Sequence, residues 1–106
     1  MDDSTHYVAP LVLTTEPQTA WKAAENAVAA TPRTEIVTTS PDYLHAEYTS
    51  ALMGFVDDLE LNLRPDQGII AVRSASRLGY GDMGVNRKRV EELRRTLAAE
   101  GAVKPD

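Results

Sequence analysis

The chain contains no cysteine, which removes thiolate nucleophiles, disulfide frameworks and cysteine-based zinc sites while leaving the redox compartment open. Aromatic residues make up only 6% of it, so Tyr43, Tyr48 and Tyr80 read as packing residues and not as stacking platforms. No stretch approaches the ~20 consecutive apolar residues that span a bilayer. The first six residues are polar and acidic, the reverse of a signal peptide's basic start. Cations are the minority, 11 Lys and Arg against 16 Asp and Glu for a net charge of -5, which argues against nucleic acid as the main partner. These absences lead to the expectation of a soluble, cytoplasmic chain with no membrane partner, or of a periplasmic or lumenal one if an export segment has been trimmed from it.

At 106 residues the chain can bury roughly 65% of its unfolded surface, enough for one core without staples. Residues 1–7 have no periodicity and read as a flexible lead, 8–101 as a single domain, and 102–106 as a loose tail. Residues 8–13 are apolar-rich and could form a short edge strand, since Pro10 bars a central one. Thr15 with Gln18 fits a capping box, Pro17 is tolerated in a first turn, and Ala20, Trp21, Ala24, Ala27 and Val28 recur at helical spacing, so a helix is expected over 16–30. Its small face implies close packing on a sheet, with Trp21 as the large anchor.

Strand patterns follow. Residues 34–39 are β-branched, Ser40-Pro41-Asp42 marks a turn, and 43–50 alternates. Residues 58–64 alternate more strictly, with Leu59, Leu61 and Leu63 on one face and Asp58, Glu60, Asn62 and Arg64 on the other. A turn at 65–68 and a return over 69–76 complete a second hairpin. The last helix is expected from Asn86 or Arg87 to Glu100, with Val90, Leu93 and Leu97 as its stripe and Gly101 as its stop. The order α-β-β-β-β-α predicts an α+β fold: a mostly antiparallel sheet of four strands, five if 8–13 joins, with two helices on one face.

Pairing Leu63 with Ile70 places Leu61 opposite Val72, Leu59 opposite Ser74 and Asp57 opposite Ser76 on the core face. The other face then sets Glu60 opposite Arg73, with Asp58 nearby and Arg77 one step further. Such pairs are ordinarily solvated ion pairs worth about 0.2–1 kcal/mol. Asp57, Ser74 and Ser76 stand out more, because polar groups at the end of an apolar face need partners or a cleft. They either brace the neighbouring loop or line a pocket. Residues 78–85 hold three glycines and precede the helix; Gly79, Gly81 and Gly84 have the GxGxxG spacing, but outside a βαβ unit, and GxxxxGK[ST] is absent, so the phosphate signal is weak. Residues 73–95 hold seven of the eleven cations. Arg87, Lys88 and Arg89 fall where the helix dipole is already positive, so a counter-anion is expected, supplied either by the protein's own carboxylates or by a bound phosphate, sulfate or carboxylate.

Catalytic templates fare poorly. His6 and His45 are not spaced as a metal pair, HExxH is missing, and no metal or cofactor is expected. No GxSxG elbow exists, and a triad would need Ser74 or Ser76, His45 and Asp57, all from the sheet.

The segments GFVDDLELNL (54–63) and AVRSASRLGYGDMGVNRKRVEELR (71–94) resemble the bacterial and plastid family known as domain of unknown function 1499. Its pattern is matched by Phe55, Asp57 and Asp58; by the run from Arg73 to Arg77; and by Gly79, Asp82, Gly84, Asn86, Arg87 and Arg89. The resemblance implies that Asp57, Asp58, Arg73, Arg77, Asp82, Asn86 and Arg87 act as one unit, and it brings no activity. Family members often carry an N-terminal export or membrane segment.

Two functional expectations follow. The first is a binding module for a small anionic or polar ligand, or a protein partner, through Asp57, Asp58, Arg73, Ser74, Ser76, Arg77, Tyr80, Asp82, Asn86, Arg87 and Arg89. The second is an enzyme with Asp57 as general acid or base and arginines holding an anionic substrate. A purely architectural network is the third reading.

Overall fold

A computed structural model describes residues 8–49, 54–77 and 85–105. Among them the elements are β1 (Leu11–Val12), α1 (Pro17–Ala29), β2 (Thr34–Thr39), β3 (Tyr43–Thr49), β4 (Val56–Arg64), β5 (Ile69–Ser76) and α2 (Val85–Ala99). The strands form one antiparallel sheet in the order β1-β5-β4-β3-β2. The α+β expectation holds, in its five-stranded form. β1 and β2 lie at opposite edges, so α1, which joins them, must cross the sheet.

The β4–β5 register is the one the leucine alternation predicts: Leu63 faces Ile70, Leu61 faces Val72, Leu59 faces Ser74 and Asp57 faces Ser76. The turn between them is a single 3-10 turn at Pro65–Gln67, closed by Gly68 at φ 67°, a left-handed position that glycine occupies without a steric penalty. Leu44, Ala46, Leu59, Leu61, Ile70 and Val72 are buried against Ala20, Trp21, Ala24 and Val28 of α1 and Val90, Leu93 and Leu97 of α2. The alanines let α1 approach closely, and Trp21 donates its indole N–H to the Ser40 carbonyl at 3.3 Å.

Two expectations are corrected. The capping box at Thr15 does not form: Glu16 is the N-cap and makes no side-chain cap bond, while Pro17 at the first helical position supplies the fixed φ that starts the helix. Residues 102–104, expected in a loose tail, are held in place: Ala102 and Val103 are buried. Val103 bridges Leu13, Thr14 donates to the Ala102 carbonyl at 2.9 Å, and Lys104 donates to Val12 at 2.9 Å. The two ends of the described chain thus close one corner of the core. The expected flexible lead at 1–7 and the glycine-rich loop at 78–84 lie outside the described residues.

Candidate functional site

The sheet divides the polar hallmark in two. Strand alternation sends Asp57 to the helical face and Asp58 to the open face, and each gathers a different arginine.

On the helical face Asp57, Ser74 and Asn86 are buried. Arg89, one turn into α2, reaches back over them. Its Nη1 donates to Asp57 Oδ2 at 2.9 Å and to Asn86 Oδ1 at 3.0 Å, and Ser74 Oγ donates to the same Asn86 oxygen at 2.5 Å. The Arg89 guanidinium carbon lies 4.3 Å from the centroid of the Tyr48 ring, a cation–π contact. Burial pushes the Tyr48 phenol up from its ordinary value, while Thr31, the Arg89 charge and Thr34 pull it back. Asp57 is therefore the internal counter-anion for the basic helix start, and Arg89 is the cation it answers. Arg87 and Lys88 remain exposed.

Arg89 is only partly used. Its Nη1 carries both of its hydrogen bonds, so Nε and Nη2 meet no acceptor among the described residues. That side-on edge is the one Arg77 closes on Asp58 and Arg94 closes on Glu91. In Arg89 the same edge has no partner among the described residues, and the Arg89 side chain lines two adjoining cavities of 270 and 210 Å³, which share Thr31, Tyr48, Arg89 and Glu92 as walls. Pro32, Arg33 and Thr49 complete one, and Ala27, Leu93 and Thr96 the other. Arg33 sits at φ 55°, a left-handed conformation that costs a non-glycine residue of order 1–3 kcal/mol and is held only where its surroundings insist. Its carbonyl accepts from the Thr49 N–H at 3.0 Å, which fixes the cleft's rim.

On the open face Glu47 and Asp58 stand directly opposite across β3 and β4, an arrangement of like charges that requires a cation. Arg77 supplies it. Its Nε and Nη2 donate to Asp58 at 2.9 and 3.0 Å, and Nη2 also bonds Glu47. His45 Nε2 lies 2.7 Å from Asp58 Oδ1. The hydrogen bonds from Arg77, opposed by burial and aided by His45, hold the Asp58 carboxyl below its ordinary value, and the same contacts raise Arg77 above its own. One ligand atom each from His45, Glu47 and Asp58 falls within 4.8 Å of the others. A cation there would have to displace the guanidinium that already neutralises both carboxylates.

The family model described as protein of unknown function, DUF1499, matches residues 1–97 of the chain. The chain belongs to this family. None of the curated proteins matches it. The DUF1499 match contains both arginine networks and the cleft walls.

Of the residues the sequence nominated, Asp57, Ser74, Asn86 and Arg89 converge, with Ser76 facing Asp57 in register. Asp58 and Arg77 form their own group on the sheet's other face, so among the described residues the hallmark divides into two groups. Arg77 is nearly half exposed. Arg73 faces Glu60, but no ion pair joins them among the described residues; Glu60 instead acts on Tyr43, whose phenol is raised by burial and by that carboxylate. Tyr80 and Asp82 lie outside the described residues. Sequence reasoning missed Tyr48, Thr31, Arg33 and Glu92. Tyr48 shares the inward alternation of Leu44 and Ala46, and Glu92 lies three residues after Arg89, so both had a signal; the other two depend on how α1 turns into β2.

Proposed function

We propose that the chain is a small-ligand binding module whose site is the cleft between the end of α1, β3 and α2, with Arg89 as the anchor for an anionic or polar group. The observation that carries this reading is the open Nε/Nη2 edge of Arg89, a planar fork matched to carboxylate or phosphate oxygens. Asp57, Asn86 and Tyr48 then serve as the support that fixes the guanidinium plane before any ligand arrives. A carboxylate so engaged by arginine is a positioning group and not a general base. The cavities lie below the roughly 300–1,000 Å³ of drug-sized sites, which favours a ligand of few atoms.

The test is a titration of the protein with acetate, sulfate and phosphate, followed by the amide resonances of residues 31–33, 48–49 and 89–96. At least one of the three is expected to move these amides saturably. Arg89→Lys, which keeps the charge facing Asp57 but loses the fork, is expected to weaken that binding about tenfold, in line with about 1.4 kcal/mol for one charge-assisted hydrogen bond. Silence of all three anions, or full binding by Arg89→Lys, would overturn the reading.

A further inference from the structure

The cleft does not hold an excess of positive charge. Arg89 is already balanced by Asp57 at 2.9 Å, and the other two ionic walls, Arg33 and Glu92, are of opposite sign. Formal charge over the four groups cancels. A plain anion would gain the open edge of Arg89 but would also meet the carboxylate of Glu92, which lines both cavities and has no ion-pair partner among the described residues. Glu92 lies three residues beyond Arg89 on the same helix, a spacing that sets two side chains on one face, yet no ion pair joins them among the described residues. Each is left with unused capacity: two kinds of N–H donor on Arg89 and two acceptor oxygens on Glu92. Of the remaining walls, Ala27, Leu93, Pro32 and the Tyr48 ring are apolar, and Thr31, Thr49 and Thr96 carry hydroxyls.

We infer that the ligand of this cleft is a small zwitterion of the amino-acid class, its carboxylate on the Arg89 fork and its ammonium group on Glu92, with an aliphatic body against the apolar wall. This inference rests on the binding reading above and narrows it. A net-neutral molecule with separated charges satisfies both ionic walls and leaves no charge uncompensated, whereas a dianion such as phosphate satisfies one and opposes the other.

The experiment titrates glycine, L-alanine and L-valine into the intact chain, each beside the acid that lacks its ammonium group and the amine that lacks its carboxylate: acetate and methylamine, propionate and ethylamine, isovalerate and isobutylamine. Binding is read from the amides of residues 31–33, 48–49 and 89–96. At least one amino acid is expected to bind tenfold or more tightly than both of its counterparts. In Glu92→Gln, a surface change on a helix, the preference over the acid is expected to collapse to within about twofold. If the acids bind as well as the amino acids in the parent chain, or phosphate alone binds, the zwitterion is excluded and the anion site stands. If the amino acids are silent and the acids, phosphate and sulfate are silent too, both fail.

Discussion

Asp57 and Asp58 are adjacent in sequence and serve opposite faces of β4, each with its own arginine. The alternation that separates them was legible, because a strand's side-chain period is two. The partner of Arg77 on β3 was not, since residues 50–55 join β3 to β4 without any pattern that sets their register. Arg77 relieves the opposition of Glu47 and Asp58, and this has a pH signature. The Asp58 carboxyl in the fold lies below its ordinary 3.8, so its contribution is present above the unfolded value and is lost as pH falls through the folded one. Arg77→Met is accordingly expected to lower the melting temperature at pH 7, with the deficit shrinking below about pH 4 as the carboxylates are protonated. Thermal scans of both proteins from pH 7 to pH 2.5 check this, and a deficit independent of pH would contradict it. Arg94 is the opposite case. It is buried, donates to the carbonyls of Ala9 and Pro10 at 2.8 and 2.9 Å, and pairs with Glu91. Arg94→Met is expected to cost about 3 kcal/mol in urea unfolding, since the stranded carbonyls and carboxylate lose a charged donor. Nothing in the α2 pattern marks Arg94 out as buried, because the carbonyls that bury it, those of Ala9 and Pro10, are far away in sequence.

At the scale of elements, local rules placed β4, β5 and both helices within a residue or two. They failed at the start of α1, where Pro17 and the backbone of Glu16 begin the helix with no side-chain cap. They succeeded at the end of α2. Gly101 adopts φ 78°, Gly101 N–H donates to Ala98 and Ala102 N–H to Leu97, the left-handed close expected of a terminal glycine. A Cβ there would meet nothing within 4 Å, so Gly101→Ala carries backbone strain alone and is expected to cost about 1–2 kcal/mol. The alanines of α1 make the complementary case. Ala24 is fully buried, and Ala24→Leu is expected to destabilise by about 1–3 kcal/mol through overpacking against the sheet. Urea midpoints of the two variants separate strain from packing; an unchanged Ala24→Leu would mean that α1 is not seated as closely as described.

For the whole molecule, the core is closed by contacts between residues 12–14 and 102–104 that no local pattern could disclose. Val103 is buried and, at about 1.5–3 kcal/mol for a fully buried valine, its loss alone should be visible. Deleting residues 102–106 is expected to lower stability by at least that amount, and an unaffected midpoint would return these residues to the status of a tail. Among the described residues no helix is long and apolar enough to cross a membrane. The same closure organises the cleft. α1 crosses the sheet, turns at Arg33 and meets α2 over Tyr48, so the walls come from elements distant in sequence. Arg89, Asp57 and Asn86 could be nominated from the sequence, but not Thr31, Arg33 or the cavity they enclose with Glu92.

The most direct measurement is on the Arg89 Nε–H resonance itself, assigned through its loss in Arg89→Lys and followed while acetate, phosphate and the small amino acids are added. The account predicts a saturable downfield shift of that one resonance with at least one of them, while the Nε–H signals of Arg77 and Arg94, closed on Asp58 and Glu91, stay in place. An Arg89 signal that never moves, or three arginine signals that move together in proportion to ionic strength, would contradict it.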